Sequence, residues 1–205
     1  MKRIIILLTM FAGMVCCYAQ GALSAQQVLD KATEAIAKAG SLEIAYSVNS
    51  GGKSGNGSLF SFGNKFKLTL PDVKVWYNGK DMYTYNSQTK ETTLMIPTSE
   101  EVSEVNPLQY IKNWKQDYTA SFSTEKKNGK YIVDLLPKIK NSTVKKVTVT
   151  INARDFMPEK FIGEPVSGSS VSILISSLKK GVPVNSSDFE YPKSLYPKVE
   201  IIDLR

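Results

Sequence analysis

Apolar and polar residues alternate with a period of two along most of this chain, and a helical period interrupts the alternation twice. Leu42, Ile44, Tyr46 and Val48 alternate with Glu43, Ala45 and Ser47, the pattern of a strand with one buried face. Leu59, Phe60 and Phe62 predict a second strand that turns at Gly63-Asn64. Phe66, Leu68 and Leu70 predict a third that stops at Pro71. Between the first two strands, Asn49 to Gly57 reads NSGGKSGNG and predicts a flexible turn. Glu91 to Ile96 forms a further strand, ended by Pro97. Alternation resumes at Tyr118, Ala120 and Phe122. Asn128-Gly129 predicts a tight hairpin, and Tyr131, Val133 and Leu135 return from it. Val147, Val149 and Ile151 follow, then Lys160 to Gly163, then Val171, Ile173 and Ile175. After Pro183, Pro192 and Pro197, Val199 to Leu204 reads as an edge strand. No helical pattern separates successive strands, so the predicted sheet is antiparallel.

The stretch Asp72 to Asn86, DVKVWYNGKDMYTYN, organises the rest. Asn78-Gly79 predicts a two-residue type I′ hairpin, because both central positions of that turn need φ > 0. The expected partners are Tyr77 with Lys80, Trp76 with Asp81, Val75 with Met82 and Lys74 with Tyr83. Val73, Val75, Met82 and Thr84 then share one face, and Trp76, Tyr83 and Tyr85 the other. One face is aliphatic and the other aromatic, so neither is plainly the wet side. Either both faces are covered by helices or loops, or the sheet curves and its concave face lines an apolar pocket.

Two helices are expected. Leu23 to Gly40 opens on a capping box, with Ser24 as N-cap and Gln27 three residues on. Val28, Leu29, Ala32, Ile36 and Ala39 form a narrow apolar stripe, and Gly40 suits the stop. Asn106-Pro107 opens the second helix, with Asn as N-cap and Pro at the first helical position. Leu108, Ile111 and Trp114 fall on one side of it. The acidic stretch Thr98 to Val105, with Glu100, Glu101 and Glu104, reads as a solvated loop or a single helical turn.

The leader changes the compartment. Lys2-Arg3, the apolar run Ile4 to Val15 and Cys17-Tyr18-Ala19 predict a signal peptide over residues 1–19, with a single domain expected over 20–205; a membrane anchor and lipidation at Cys16 or Cys17 are the alternatives. Both cysteines, Cys16 and Cys17, lie in that leader, so the expected mature chain has neither disulfide nor thiol chemistry. The 205 residues contain no histidine. Histidine- and cysteine-based triads and a typical zinc site are therefore excluded, and no nucleotide-binding or EF-hand spacing occurs. Removing Lys2 and Arg3 lowers the formal charge of +7 by two. The lysines are scattered, which argues against nucleic acid as a partner. No enzyme and no cofactor is expected.

What remains is apolar surface in excess. An open apolar wall of ~500 Å² would forgo up to ~12 kcal/mol at ~25 cal/mol/Å², against a whole-domain stability of ~5–15 kcal/mol. Such a wall must be shut by helices or filled by a greasy ligand.

Several segments carry a family resemblance. They are Lys31-Ala32 with Ile36, Gly40-Ser41-Leu42, Gly57-Ser58-Leu59-Phe60, Phe66-Lys67-Leu68, Pro71-Asp72, Val75 to Lys80, Tyr83 to Asn86, Asn106-Pro107-Leu108 and Leu135 to Lys138. In this order and spacing the chain resembles the LolA-type periplasmic carriers of outer-membrane lipoproteins. The resemblance implies an α+β fold: a strongly curved antiparallel sheet forming an incomplete, half-open β-barrel, with the N-terminal and mid-chain helices as a lid over an apolar cavity. By position it implies that Ile36, Leu68, Val75, Met82, Leu108 and Ile111 line that cavity. It further implies a monomeric periplasmic carrier whose partners are lipoprotein acyl chains, an inner-membrane lipoprotein-releasing ABC transporter and an outer-membrane receptor. The same resemblance also fits a lipid-sensing or protein-interaction module. One feature departs from the family. Its well-studied members carry an arginine after the second strand that bonds the lid shut, and here that region reads Phe62-Gly63-Asn64-Lys65.

Overall fold

The computed structural model describes residues 22–125 and 127–205. The expected leader and its two cysteines lie outside them. Ser24 and Gln27 form the predicted capping box at the start of α1 (Ala25–Lys38), which buries Val28, Leu29, Ala32 and Ile36.

Six strands follow in a meander: β1 (Ser41–Ser50), β2 (Lys53–Phe62), β3 (Lys65–Thr69), β4 (Val73–Tyr77), β5 (Met82–Asn86) and β6 (Glu91–Met95). Three short helices interrupt, α2 (Ser99–Val105), α3 (Leu108–Lys112) and α4 (Trp114–Asp117). A second meander runs through β7 (Tyr118–Phe122), β8 (Lys130–Pro137), β9 (Val144–Asn152), β10 (Pro158–Pro165) and β11 (Val171–Lys180). β11 pairs with β1 and joins the two meanders, giving one open, curved twelve-stranded sheet of order β12-β6-β5-β4-β3-β2-β1-β11-β10-β9-β8-β7. The last strand, β12 (Glu200–Asp203), is the expected edge strand, but it runs parallel to β6. A long C-terminal return across the sheet brings it in from the same end, so the expectation of a wholly antiparallel sheet fails there.

The central hairpin differs from its prediction in register. Tyr77 pairs with Met82, Trp76 with Tyr83 and Val75 with Thr84. The loop is thus four residues long. Asn78 does not take a positive φ. Its Oδ1 instead accepts the backbone N–H groups of Lys80 and Asp81 at 3.1 and 2.9 Å. A two-residue shift preserves the period of two, so the faces stand as expected. Val75 and Met82 are buried in the core, and Trp76 is buried on the opposite face.

Both faces are covered. The aliphatic one packs against the helices. The aromatic one packs against the C-terminal stretch, where Tyr191 stacks on Tyr83 at 5.0 Å and Tyr196 packs on Tyr85 at 4.6 Å.

Two other connections depart from expectation. Asn49 to Gly57 is not a loop, because β1 and β2 stay paired up to a tight turn at Gly51-Gly52. Gly57 lies opposite Tyr46, and a Cβ there would come within 2.7 Å of the tyrosine ring. Its glycine makes room for an aromatic neighbour rather than for a bend. Asn128-Gly129 does form a turn, closed by Lys130 N–H on Lys127 O. That turn sits at the end of a longer connection from Phe122.

Of the two expectations for Thr98 to Val105, a loop or a single helical turn, the helical one is nearer, since Ser99–Val105 is a seven-residue helix. Thr98 and Glu101 form a capping box, and Glu100 accepts from Ser142 Oγ and from the Thr143 N–H. Ahead of α3, Asn106 Oδ1 accepts the Leu108 N–H, and Pro107 takes helical angles.

Candidate functional site

All six side chains singled out from sequence meet in one packed cluster. Ile36 comes from α1, Leu68, Val75 and Met82 from one face of β3 to β5, and Leu108 and Ile111 from α3. Leu68 and Val75 are direct cross-strand partners. None of the six is more than 6% exposed. Period-two alternation brings the strand residues to one face, and the helices close over them.

Beside the fourteen-residue α1, the other closing helices are short: seven, five and four residues for α2, α3 and α4. Pieces this short have little stability of their own, so packing and a few polar ties hold them. Thr33 Oγ1 on α1 bonds the Ile111 carbonyl of α3 at 3.0 Å. Lys112 Nζ donates to the Gly63 carbonyl at 2.5 Å, in the turn that lacks the family arginine. Burial pushes the Lys112 ammonium below its ordinary value. Glu100 and Glu104 bind Ser142 and Thr143 on the far side.

A groove of about 260 Å³ opens between the helices and the second meander. Its walls are mainly apolar, with Pro107 and Tyr110 on one side and Val147, Phe161, Val171 and Ile173 on the other. Gly163 lies in it, mid-strand, between Val147 and Val171, and a Cβ at that position would meet nothing within 4 Å. Glu104 is the charged member of the wall. Burial, reinforced by Tyr118 and the carboxylates of Glu104 and Glu100, pushes the Tyr110 phenol well above its usual value, so it stays neutral. At the same helix junction, Asn106 Nδ2 and Gln109 Nε2 are buried with no hydrogen-bond partner among the described residues. Such a group costs roughly 1–3 kcal/mol.

Sequence reading missed this groove. Its one local signal was Gly163 inside a strand, where glycine marks a bulge or a close approach. A larger hollow of about 350 Å³ lies on the opposite face, between Phe60, Lys67 and the stretch around Pro183, and its lining is more polar. Among the described residues no group of three or more acidic, histidine or cysteine side chains is placed to hold a metal.

The family model described as outer membrane lipoprotein carrier protein LolA matches residues 15–163. No curated protein sequence matches the chain. Among solved structures, an uncharacterised conserved protein from Thermus thermophilus has the same fold, with a TM-score of 0.61 at 9% identity over 87% of this chain and 98% of that one. A LolA superfamily protein from Nitrosomonas europaea gives 0.47 at 14% identity, covering 83% and 99%. A putative outer membrane lipoprotein-sorting protein domain from Vibrio parahaemolyticus gives 0.42 at 15% identity, covering 85% and 100%.

Proposed function

The chain belongs to the LolA outer membrane lipoprotein carrier family, and from that premise we propose that it is a periplasmic, non-enzymatic carrier of lipoprotein acyl chains. The observation that carries this reading is an aliphatic sheet face closed by α1 together with three helices too short to stand alone. Burial of an acyl chain contributes ~0.8 kcal/mol per CH₂, ample for retention. Loading and release then depend on partners that bind the open and closed forms differently. An inner-membrane lipoprotein-releasing ABC transporter would load the carrier, and an outer-membrane acceptor would unload it. Ile36, Leu68, Val75, Met82, Leu108 and Ile111 are the proposed chain-contacting residues, exposed when α3 lifts.

The test uses the dye N-phenylnaphthylamine bound to the purified protein. A diacylated lipopeptide should displace the dye saturably, and the same peptide without acyl chains should not. No saturable dye signal, or equal displacement by the bare peptide, overturns the proposal. One observation favours a second reading, a protein-interaction module of the same fold: the six interior side chains are already buried by the protein itself. Absence of saturable dye binding is the result that reading expects.

A further inference from the structure

The apolar groove has an acidic rim. Glu104 lines it and is exposed, and Glu100 stands one turn earlier on α2. Thr143 Oγ1 lies within hydrogen-bond distance of both carboxylates, at 2.5 Å from Glu104 and 3.2 Å from Glu100, so the two charges sit close together. Among the described residues neither is in an ion pair, Lys145 next to Val144 of the wall included, and Lys146 is paired with Glu164 instead. Their field reaches the groove: behind burial and Tyr118, Glu104 and Glu100 add to what raises the Tyr110 phenol.

The rest of the wall is mainly apolar, and a Cβ on Gly163 would meet nothing within 4 Å. An apolar cavity of ~150 Å³ holds benzene, so about 260 Å³ holds a length of alkyl chain. The matching occupant is apolar inside the groove and positively charged where it leaves. A fatty acid has the wrong sign at its head. A phospholipid fails too, because its phosphate stands between the chains and any amine, and the first charge outside the groove is then negative. A lipid-modified amino-terminal cysteine contains no phosphate. Its chains reach the sulfur through an uncharged glyceryl group, and its first charge is its own α-ammonium, largely protonated at neutral pH. Acylation of that nitrogen removes the charge.

We propose that the groove selects lipoproteins whose lipid-modified cysteine keeps a free α-ammonium, received at the rim by Glu104 with Glu100 behind it while an acyl chain lies over Gly163. This assignment rests on the acyl-carrier reading above and specifies the class of lipoprotein that the site takes.

The experiment compares two competitors for bound N-phenylnaphthylamine. One is a dipalmitoyl-S-glyceryl-cysteinyl peptide of otherwise neutral sequence with its α-amine free, and the other is the same peptide with that amine acetylated. The free amine should displace the dye at a concentration about fivefold lower at low salt, the size expected of a charge pair at an exposed rim. The difference should close in about 1 M salt, where screening is strong. Glu104→Gln keeps an acceptor for Thr143 and should bring the two competitors together without changing displacement by the acetylated one. Gly163→Leu should raise the concentration needed of both by filling the groove. Equal displacement in the unaltered protein overturns the selection and leaves the carrier reading standing. A preference that survives Glu104→Gln combined with Glu100→Gln overturns the assignment to this rim, and unchanged displacement in Gly163→Leu overturns the placement of the chain. Failure of the dye to bind, or of both lipopeptides to displace it, removes the carrier reading together with the selection.

Discussion

At Asn78 the residue type was legible in the sequence and its use was not. Asn-Gly predicts paired positive φ values, yet only Gly79 takes one, at +101°. Asparagine works instead through its side chain, accepting two backbone N–H groups across the loop. Those bonds exist only once the chain has turned, so a dipeptide preference could not reveal them. Asn78→Ala should therefore lower stability by about 1–2 kcal/mol in urea unfolding, while Asn78→Asp, which keeps the acceptor but replaces the donor to Glu190 with a like charge, should fall between Asn78→Ala and the unaltered protein. Glu159 gives a pH-dependent counterpart. Partial burial pushes its carboxyl up, but hydrogen bonds from Lys130 and Asn152 outweigh that and hold it below the ordinary range. A depressed carboxyl contributes stability that is present above its unfolded value and is lost as pH falls through the folded one. Glu159→Gln should therefore be less stable at neutral pH. It should also lose less on acidification, as measured by urea midpoints across the acid range.

Among the elements, α1 and the long strands followed their patterns because each has enough turns or alternations to show a period. α2 did not. It has seven residues, and its apolar residues Val102 and Val105 are too few to mark a stripe. Its signal was the capping box Thr98-x-x-Glu101, overshadowed by three glutamates that resemble a solvated run. Those glutamates divide their work. Glu101 caps the helix, while Glu100 and Glu104 hold the connection between β8 and β9 through Ser142 and Thr143. Glu100→Ala should speed amide hydrogen exchange in α2 and in residues 140–144 while leaving α1 unchanged. Equal exchange in both proteins would show that packing alone fixes the helix. For α3, which makes its contribution to the interior through Leu108 and Ile111, Ile111→Ala should cost about 2–5 kcal/mol in global stability.

Over the whole molecule, local patterns place residues on faces, and topology decides what each face meets. Alternation sorts Leu68, Val75 and Met82 onto one face, while Ile36, Leu108 and Ile111 come from α1 and α3, and it was the family resemblance that grouped all six. The groove was not visible in the same way, because it forms where residues 107–110 approach 161–173. That approach follows from β11 pairing with β1, a match that no local pattern announces. The aromatic face has a similar history. Trp76, Tyr83 and Tyr85 were read correctly as sharing a side, but their cover comes from a segment more than a hundred residues later. Tyr191 is its keystone. It stacks on Tyr83, meets the edge of Trp76 at 5.4 Å, lies against Tyr196 at 5.5 Å and shares a hydrogen bond with Thr92. Replacing a buried aromatic residue by alanine costs about 3–5 kcal/mol where the site cannot collapse. The cost here should appear first as detachment of the C-terminal cover, since the helix-side core does not touch it through Tyr191. The chain has two tryptophans, so a Trp114→Phe background isolates Trp76. In that background Tyr191→Ala should shift Trp76 emission to the red before global unfolding begins. An unshifted spectrum up to the main transition would mean that the cover and the sheet unfold as a single unit.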